Sequence, residues 1–308
     1  MKIKEKPEDF IVKEIYDLKI KDKGKYLYFL LKKKNYNTLD ALKRIAATLH
    51  APIKWFNFAG NKDKKAVSEQ AISIENVKNE NVEKLKLKDI ELSFIGSGDE
   101  RIYLGNLKGN EFIIKVRDIT REESGNFNNK SKNREIFMPN YFGEQRFSTK
   151  NIDVGRAIVK KDFKQASELL NLKSENNNYV EALQKVNNKI LRLYVHAYQS
   201  YIWNESIKEL LESNIGDIKK MPIVGFGTEF KNRKIKHIVC DILKKEGMGL
   251  RDFIIREIPR LSEEGSYRRI FVKLEDFSFE NINEKEIKLH FKLPKGSYAT
   301  VAVDYLFN

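Results

Sequence analysis

Asp63 stands in the stretch Gly60-Asn61-Lys62-Asp63-Lys64, after a glycine and between two lysines. The neighbouring ammonium groups favour the ionised carboxylate. A carboxylate on a loop beside a basic surface can attack an electrophilic sugar carbon, as carboxylate nucleophiles do at anomeric centres. The same residue types also suit a plain polar β-turn. A second stretch, Pro139-Asn140-Tyr141-Phe142-Gly143-Glu144-Gln145-Arg146-Phe147, gathers three aromatics, two amides, a glycine and an arginine. A flipped base needs a face to stack on and an edge to hydrogen-bond, and an exposed aromatic beside an amide offers both. Arg146 could hold a phosphate or a carboxylate. Tyr141, Phe142 and Phe147 would equally serve as core residues around a loop.

The 308 residues suffice for two domains or for one domain with a large insertion. The formal charge of +14 points to a polyanionic partner, RNA or DNA ahead of an anionic membrane. Residues 1–70 hold 17 Lys or Arg against 9 Asp or Glu, so +8 sits in that stretch. A lysine-rich surface that merely attracts water is the plainer reading. The single cysteine, Cys240, leaves no internal disulfide and no Cys pair for zinc. His50, His196, His237 and His290 lack ligand spacing, so a metal site would have to be built from carboxylates. No apolar run has the ~18 residues of a membrane helix. Met1-Lys2-Ile3-Lys4-Glu5-Lys6-Pro7 lacks the apolar core of a signal peptide, so a cytoplasmic protein is expected.

The elements that must position these residues read as follows. Phe10 and Val12 alternate with polar neighbours, and residues 26–31 form a short apolar run, both strand signals. Thr38 is placed to cap a helix carrying Leu39, Leu42, Ile45, Ala46 and Leu49 at helical spacing, and Pro52 stops it. Residues 53–58 and 71–74 suggest strands on either side of the Asp63 turn. Ile90, Leu92 and Phe94 alternate, as do Phe112, Ile114 and Val116. Thr120-Arg121-Glu122-Glu123 fits a capping box, with 126–133 read as a polar loop. Residues 156–262 are mostly helical in pattern, with an apolar stripe through Leu183, Val186, Ile190, Leu193 and Ala197. Strand pattern returns at 271–274 and 287–293, and a terminal helix is expected after a Ser297 cap. Strand-rich ends around a helical middle imply one α+β domain, 1–155 with 263–308, interrupted by an insertion at 156–262.

Several motifs now run in one order. Gly60-Asn61-Lys62-Asp63-Lys64-Lys65-Ala66-Val67-Ser68-Glu69-Gln70 resembles the catalytic segment of the TruD family of tRNA pseudouridine synthases. Asn140 to Phe147 is similar to that family's Asn-Tyr-Phe-Gly-x-Gln-Arg-Phe-Gly segment. Pro7 to Glu14 is similar to its N-terminal strand signature, and Leu107 to Phe112 to its Leu-x-Gly-Asn-x-Phe. Ala197-Tyr198-Gln199-Ser200-Tyr201-Ile202-Trp203-Asn204 resembles a family helix in its archaeal and eukaryotic form. Gly265 to Arg269 and Leu293 to Thr300 resemble its closing segments. The resemblance spans nearly the whole chain. Ser68 departs from the usual Thr and keeps a hydroxyl. Ser148 departs from the usual Gly, which puts the loop conformation after Phe147 in question.

The resemblance implies a pseudouridine synthase α+β core, a mixed, mainly antiparallel sheet with flanking helices, carrying an inserted, mostly helical TRUD-type domain. It implies Asp63 as nucleophile and Lys4, or else Lys6, as its basic partner. It makes Phe142 the platform for the target base, with Asn140, Lys62, Arg146 and Gln70 as further substrate contacts. The expected reaction isomerises a uridine of tRNA, at position 13 in the family, to pseudouridine, with no metal and no cofactor. A monomer is expected, with tRNA as partner and no membrane. A non-catalytic tRNA-remodelling protein of the same fold is the alternative, and a carboxylate-dependent nuclease lacks the acidic cluster it would need.

Overall fold

In a computed structural model of the chain, residues 1–213 and 218–308 are described. In chain order the strands are β1 (Phe10–Ile15), β2 (Tyr26–Lys34), β3 (Phe56–Phe58), β4 (Val67–Glu75), β5 (Ile90–Gly98) and β6 (Gly109–Val116). They continue as β7 (Phe137–Pro139), β8 (Lys220–Ile223), β9 (Ser266–Arg269), β10 (Phe271–Lys273), β11 (Glu275–Asn283) and β12 (Glu286–Pro294). The helices are α1 (Thr38–Thr48), α2 (Asn79–Glu83), α3 (Arg121–Ser131), α4 (Asn151–Val159) and α5 (Phe163–Leu169), then α6 (Tyr179–Gln184), α7 (Asn188–Glu212), α8 (Arg233–Lys245) and α9 (Ala299–Phe307). Among the described residues no helix is long and apolar enough to cross a membrane.

The chain forms two compact units, Met1–Phe137 with Lys273–Asn308, and Met138–Val272. The stretches 138–155 and 263–272, expected with the strands, therefore pack with the helices instead. Tyr141, Phe142 and Val154 join the apolar core of the helical unit, and that burial draws the flanking chain with them.

The first unit is built on one sheet in the order β11-β12-β6-β1-β4-β2-β5. All its pairings are antiparallel except β1 with β4. β4 is the pivot. One edge pairs with β2 along its whole length, from Lys34↔Val67 to Tyr26↔Glu75. The other edge is shared: β1 lies beside Val67–Glu69 and β3 beside Ile72–Ile74. Because β1 already occupies that edge, the chain between β3 and β4 has no ladder to join, so residues 60–66 form a turn there.

Helix α1 packs Ala41, Leu42, Ile45 and Ala46 on Phe29, Leu31, Ile72 and Ile74 of this sheet. Its cap is Asn37, whose side chain accepts from the Asp40 N–H, and not Thr38 as the pattern suggested. Thr38 is fully buried and has another task, described below. The stretch read as a polar loop at 126–133 is helical through Ser131. Phe127 anchors it, stacked on Phe307 of α9 at 4.9 Å and edge-on to Phe279 at 4.9 Å. One aromatic in a polar helix gives little periodic signal. Helix α9 begins at Ala299 with Tyr298 at its cap position, one residue later than a Ser297 cap implies. Strand β11 went unread because almost every residue in it is exposed, so no alternation marks it.

The second unit is helical around α7, with β8 and β9 as a small antiparallel ladder. The expected stripe from Leu183 to Ala197 is two helices, α6 and α7, because Asn187 caps a new start. The phase shifts there: Ile190 and Leu193 face outward, while Leu191, Val195, Tyr198, Ile202 and Ile207 are buried. Helix α4 crosses α7 at Gly155, where a Cβ would lie 2.1 Å from the Tyr194 carbonyl oxygen. Gly155→Ala tests that approach. Alanine gains about 1 kcal/mol of helix propensity over glycine, yet overpacking costs about 1–3 kcal/mol when the neighbour is backbone and must shift. The steric term wins at 2.1 Å, so urea denaturation should show net destabilisation; a midpoint raised by the substitution would contradict the close packing.

Candidate active site

Asp63 sits in the turn at 60–66, and the Lys4 ammonium meets its Oδ2 at 2.5 Å. Lys6 is exposed, and its N–H donates to Asp9 Oδ2. Lys4 reaches the turn because the segment before β1 is pinned twice. Lys2 exchanges backbone hydrogen bonds with Arg117, beyond the end of β6, at 2.7 and 2.8 Å. The Arg117 guanidinium grips both Asp9 oxygens, at 2.7 and 3.0 Å, and holds that carboxyl below its ordinary range. Between these pins Lys4 adopts φ 60°, a left-handed conformation that costs a lysine about 1–3 kcal/mol and is tolerated where surroundings enforce it. Its ammonium also lies 4.1 Å from the Phe10 ring centroid.

The turn is held by polar groups that replace water. Thr38 Oγ1 accepts from the Lys62 N–H at 2.9 Å and donates to Gln70 Oε1 at 2.8 Å. Gln70 Nε2 donates to the Gly60 carbonyl at 3.0 Å. Gln70, expected as a substrate contact, is fully buried and braces the turn from β4. Lys62 was expected in the same role. Its side chain is buried, and its ammonium pairs with Glu14 of β1. Burial pushes the Glu14 carboxyl up, while Lys62 pulls it back. Lys33 of β2, 1% exposed, points its ammonium at the carbonyls of Tyr36, Asp63 and Lys62, at 2.5, 3.2 and 3.4 Å. Burial pushes this ammonium down to about 8, with Asp63 opposing the fall and Lys62 adding to it.

In the helical unit, Phe142 is clamped through its backbone. Its N–H donates to Asn204 Oδ1 at 2.9 Å, and its carbonyl accepts from Asn204 Nδ2 at 3.0 Å. Trp203 meets the ring edge-on at 5.6 Å, and the Arg268 guanidinium lies 4.1 Å from its centroid. Arg268 also donates to Asn140, to Oδ1 at 2.7 Å and to the backbone carbonyl at 2.9 and 3.1 Å. Asn140 is buried and donates through Nδ2 to the Arg269 carbonyl. Arg146 lies farther out, its guanidinium 5.8 Å from the Phe142 centroid and its Nε 3.3 Å from Ser200 Oγ. The arrangement offers an aromatic ring of fixed direction, framed by cations and amides. That is the makeup of a base-binding wall.

A family model described as tRNA pseudouridine synthase D (TruD) matches residues 1–172, 167–220 and 218–304. The chain belongs to the TruD family. It is 29% identical to tRNA pseudouridine synthase D of Aquifex aeolicus, over 100% of this chain and 98% of the relative. It is 30% identical to a Nanoarchaeum equitans protein assigned as tRNA pseudouridine synthase D, again over 100% and 98%. The crystal structure of a Methanosarcina mazei protein assigned as TruD superposes with TM-score 0.76 at 24% identity, over 99% of this chain and 93% of that one. The expected α+β fold with its mainly antiparallel sheet is thus borne out.

Against the TruD pattern, Ser148 takes the place of glycine and adopts φ 47°. The loop after Phe147 therefore keeps the left-handed conformation that a glycine there would favour. Ser68 keeps its hydroxyl, buried on β4 with no hydrogen-bond partner among the described residues. From sequence, Thr38 is expected only as a helix cap, Glu14, Asn204 and Arg268 only as members of motifs, and Lys33 not at all; none is expected at the site. A signal existed for Lys33: strand period puts it on the face of Leu31 and Phe29, which is the buried one.

The Glu14–Lys62 pair beneath the turn makes a prediction about stability. Removing one partner of a buried pair strands the other charge, at about 3–5 kcal/mol. Lys62→Met should therefore cost that much in denaturant unfolding, and adding Glu14→Leu should recover most of it. Additive losses would mean the two side chains do not depend on each other.

Proposed function

We propose that the chain isomerises a uridine of tRNA to pseudouridine, with Asp63 as nucleophile. The observation that carries this reading is the Lys4–Asp63 ion pair, made inside the TruD catalytic segment on a turn braced from three sides. Lys4 stabilises negative charge on the carboxylate and aims it. Phe142 supplies the stacking face for the uracil, and Asn140 and Arg268 shape its rim. Arg146 is the contact for phosphate. Lys62 and Gln70 act through the turn rather than on the RNA.

In the reaction the C1′–N1 bond breaks, the uracil turns, and a C1′–C5 bond forms. The C5 proton is lost and N1 gains one, so the product is an isomer and no group donor is consumed. Holding the detached uracil in place and away from water is the main demand on the protein. The target is uridine 13, as the family resemblance implies, and the enzyme works without a cofactor, as a cytoplasmic monomer.

Unmodified tRNA carrying 5-³H-uridine tests the reading. Wild type should release tritium, and Asp63→Ala should release none. Equal release from both would remove Asp63 from the chemistry; tight binding with no release from either would make the chain a tRNA-remodelling protein. Mapping the product by sequencing checks the position. Phe142→Ala should weaken base capture by about 1–3 kcal/mol for lost stacking. Its overall tRNA binding should keep the steep salt dependence that phosphate contacts impose.

A further inference from the structure

Lys33 is a cation in a place that charges avoid. It is 1% exposed on β2 and stands opposite Ser68 on β4 and Ile90 on β5, neither of them charged. The charged groups facing it come from the turn: Asp63, and Lys62 with Glu14 behind it. An ammonium has three N–H groups. Here three carbonyl oxygens converge on it, those of Tyr36, Asp63 and Lys62. One buried cation thus serves three backbone oxygens at once, beside a turn that no strand ladder holds.

We propose that Lys33 is a positioning residue for Asp63, its ammonium locking the turn at 60–66 from below through the carbonyls of Tyr36, Lys62 and Asp63. This rests on Asp63 being the nucleophile. Lys4 takes the Asp63 carboxylate, whereas Lys33 takes the backbone that carries it. The two lysines thus fix different parts of one residue. The lock needs a proton. A neutral amine has two N–H groups and a lone pair, so one carbonyl would lose its donor and face the lone pair instead. Burial brings that loss within reach, since the ammonium titrates at about 8. Asp63 would then sit on a loosened turn at alkaline pH.

Single-turnover conversion of tRNA, with enzyme in excess and from neutral to alkaline pH, tests the proposal. Wild type should slow as pH rises through about 8. Lys33→Met should lower the rate at neutral pH by about 10²-fold, the scale expected when a reacting group is misplaced by about 1 Å. Its tRNA affinity should hold, because phosphate contacts set it, and its alkaline decline should vanish. Lys33→Arg keeps a permanent charge, so it should recover part of the neutral rate and also show no decline near 8. A folded Lys33→Met with the wild-type rate, or one that keeps the alkaline decline, overturns the proposal. If neither variant folds, the wild-type profile decides, and a rate flat through the alkaline range overturns it. An Asp63→Ala enzyme as active as wild type removes the nucleophile reading, and this one with it; an inactive Asp63→Ala beside an unaffected Lys33→Met removes only this one.

Discussion

The turn that carries Asp63 lies outside every strand ladder, so its peptide groups have to be satisfied by other partners. That constraint organises the first unit. Strand β1 takes the edge of β4 that a simple β3–β4 hairpin would have used, so residues 60–66 lie outside the ladder. Their hydrogen bonds must come from elsewhere. Thr38 serves the Lys62 N–H, Gln70 the Gly60 carbonyl, and Lys33 the Lys62 and Asp63 carbonyls. Each donor or acceptor comes from a different element, α1, β4 and β2. The turn can therefore hold its shape only when the sheet and its covering helix are in place together.

The cost of this design is buried charge. Taking Lys33, Lys62 and Glu14 out of water opposes folding, and a well-packed apolar replacement of an ion pair is often as stable. The apolar floor of Phe29, Leu31, Leu42, Ile45 and Ile72 supplies the compensating burial. At roughly 1.5–3 kcal/mol for each large apolar side chain removed from water, a few such residues offset a buried ion. What the charged groups add is direction. An ammonium that binds three carbonyls defines one backbone geometry, whereas an apolar side chain in the same volume would tolerate several.

Much of this was legible in the sequence, and the residues that were not share a reason. Strands with one buried face announced themselves: β1, β6 and β12 alternate apolar and polar residues, and their register follows. The Asp63 and Phe142 stretches stood out because acidic, amide and aromatic groups cluster there. Thr38 looked like a helix cap because hydroxyls commonly serve that purpose, and only the register of α1 against β4 turns it toward Gln70. Lys33 sits in a run of three lysines that reads as a solvated strand end until the strand period is extended through it. Asn204 lies one residue past Trp203 on a long helix, and its bond to Phe142 joins positions far apart in the chain. Local pattern finds residues that do chemistry; it does not find residues whose work is to hold another residue's backbone, because that work is defined by the partner.

The same distinction holds within each unit taken by itself. Asp63 is gripped at its carbonyl by Lys33 and Phe142 at its N–H and carbonyl by Asn204. In both cases the holding residue binds main chain, so the direction of the functional side chain follows from backbone geometry rather than from its own rotamer alone. Contacts made to a backbone leave the side chain above them free to meet a ligand. Main chain also holds Ser148, where the TruD pattern places glycine: its backbone is left-handed at φ 47°, and its N–H donates to the Glu144 carbonyl at 3.2 Å.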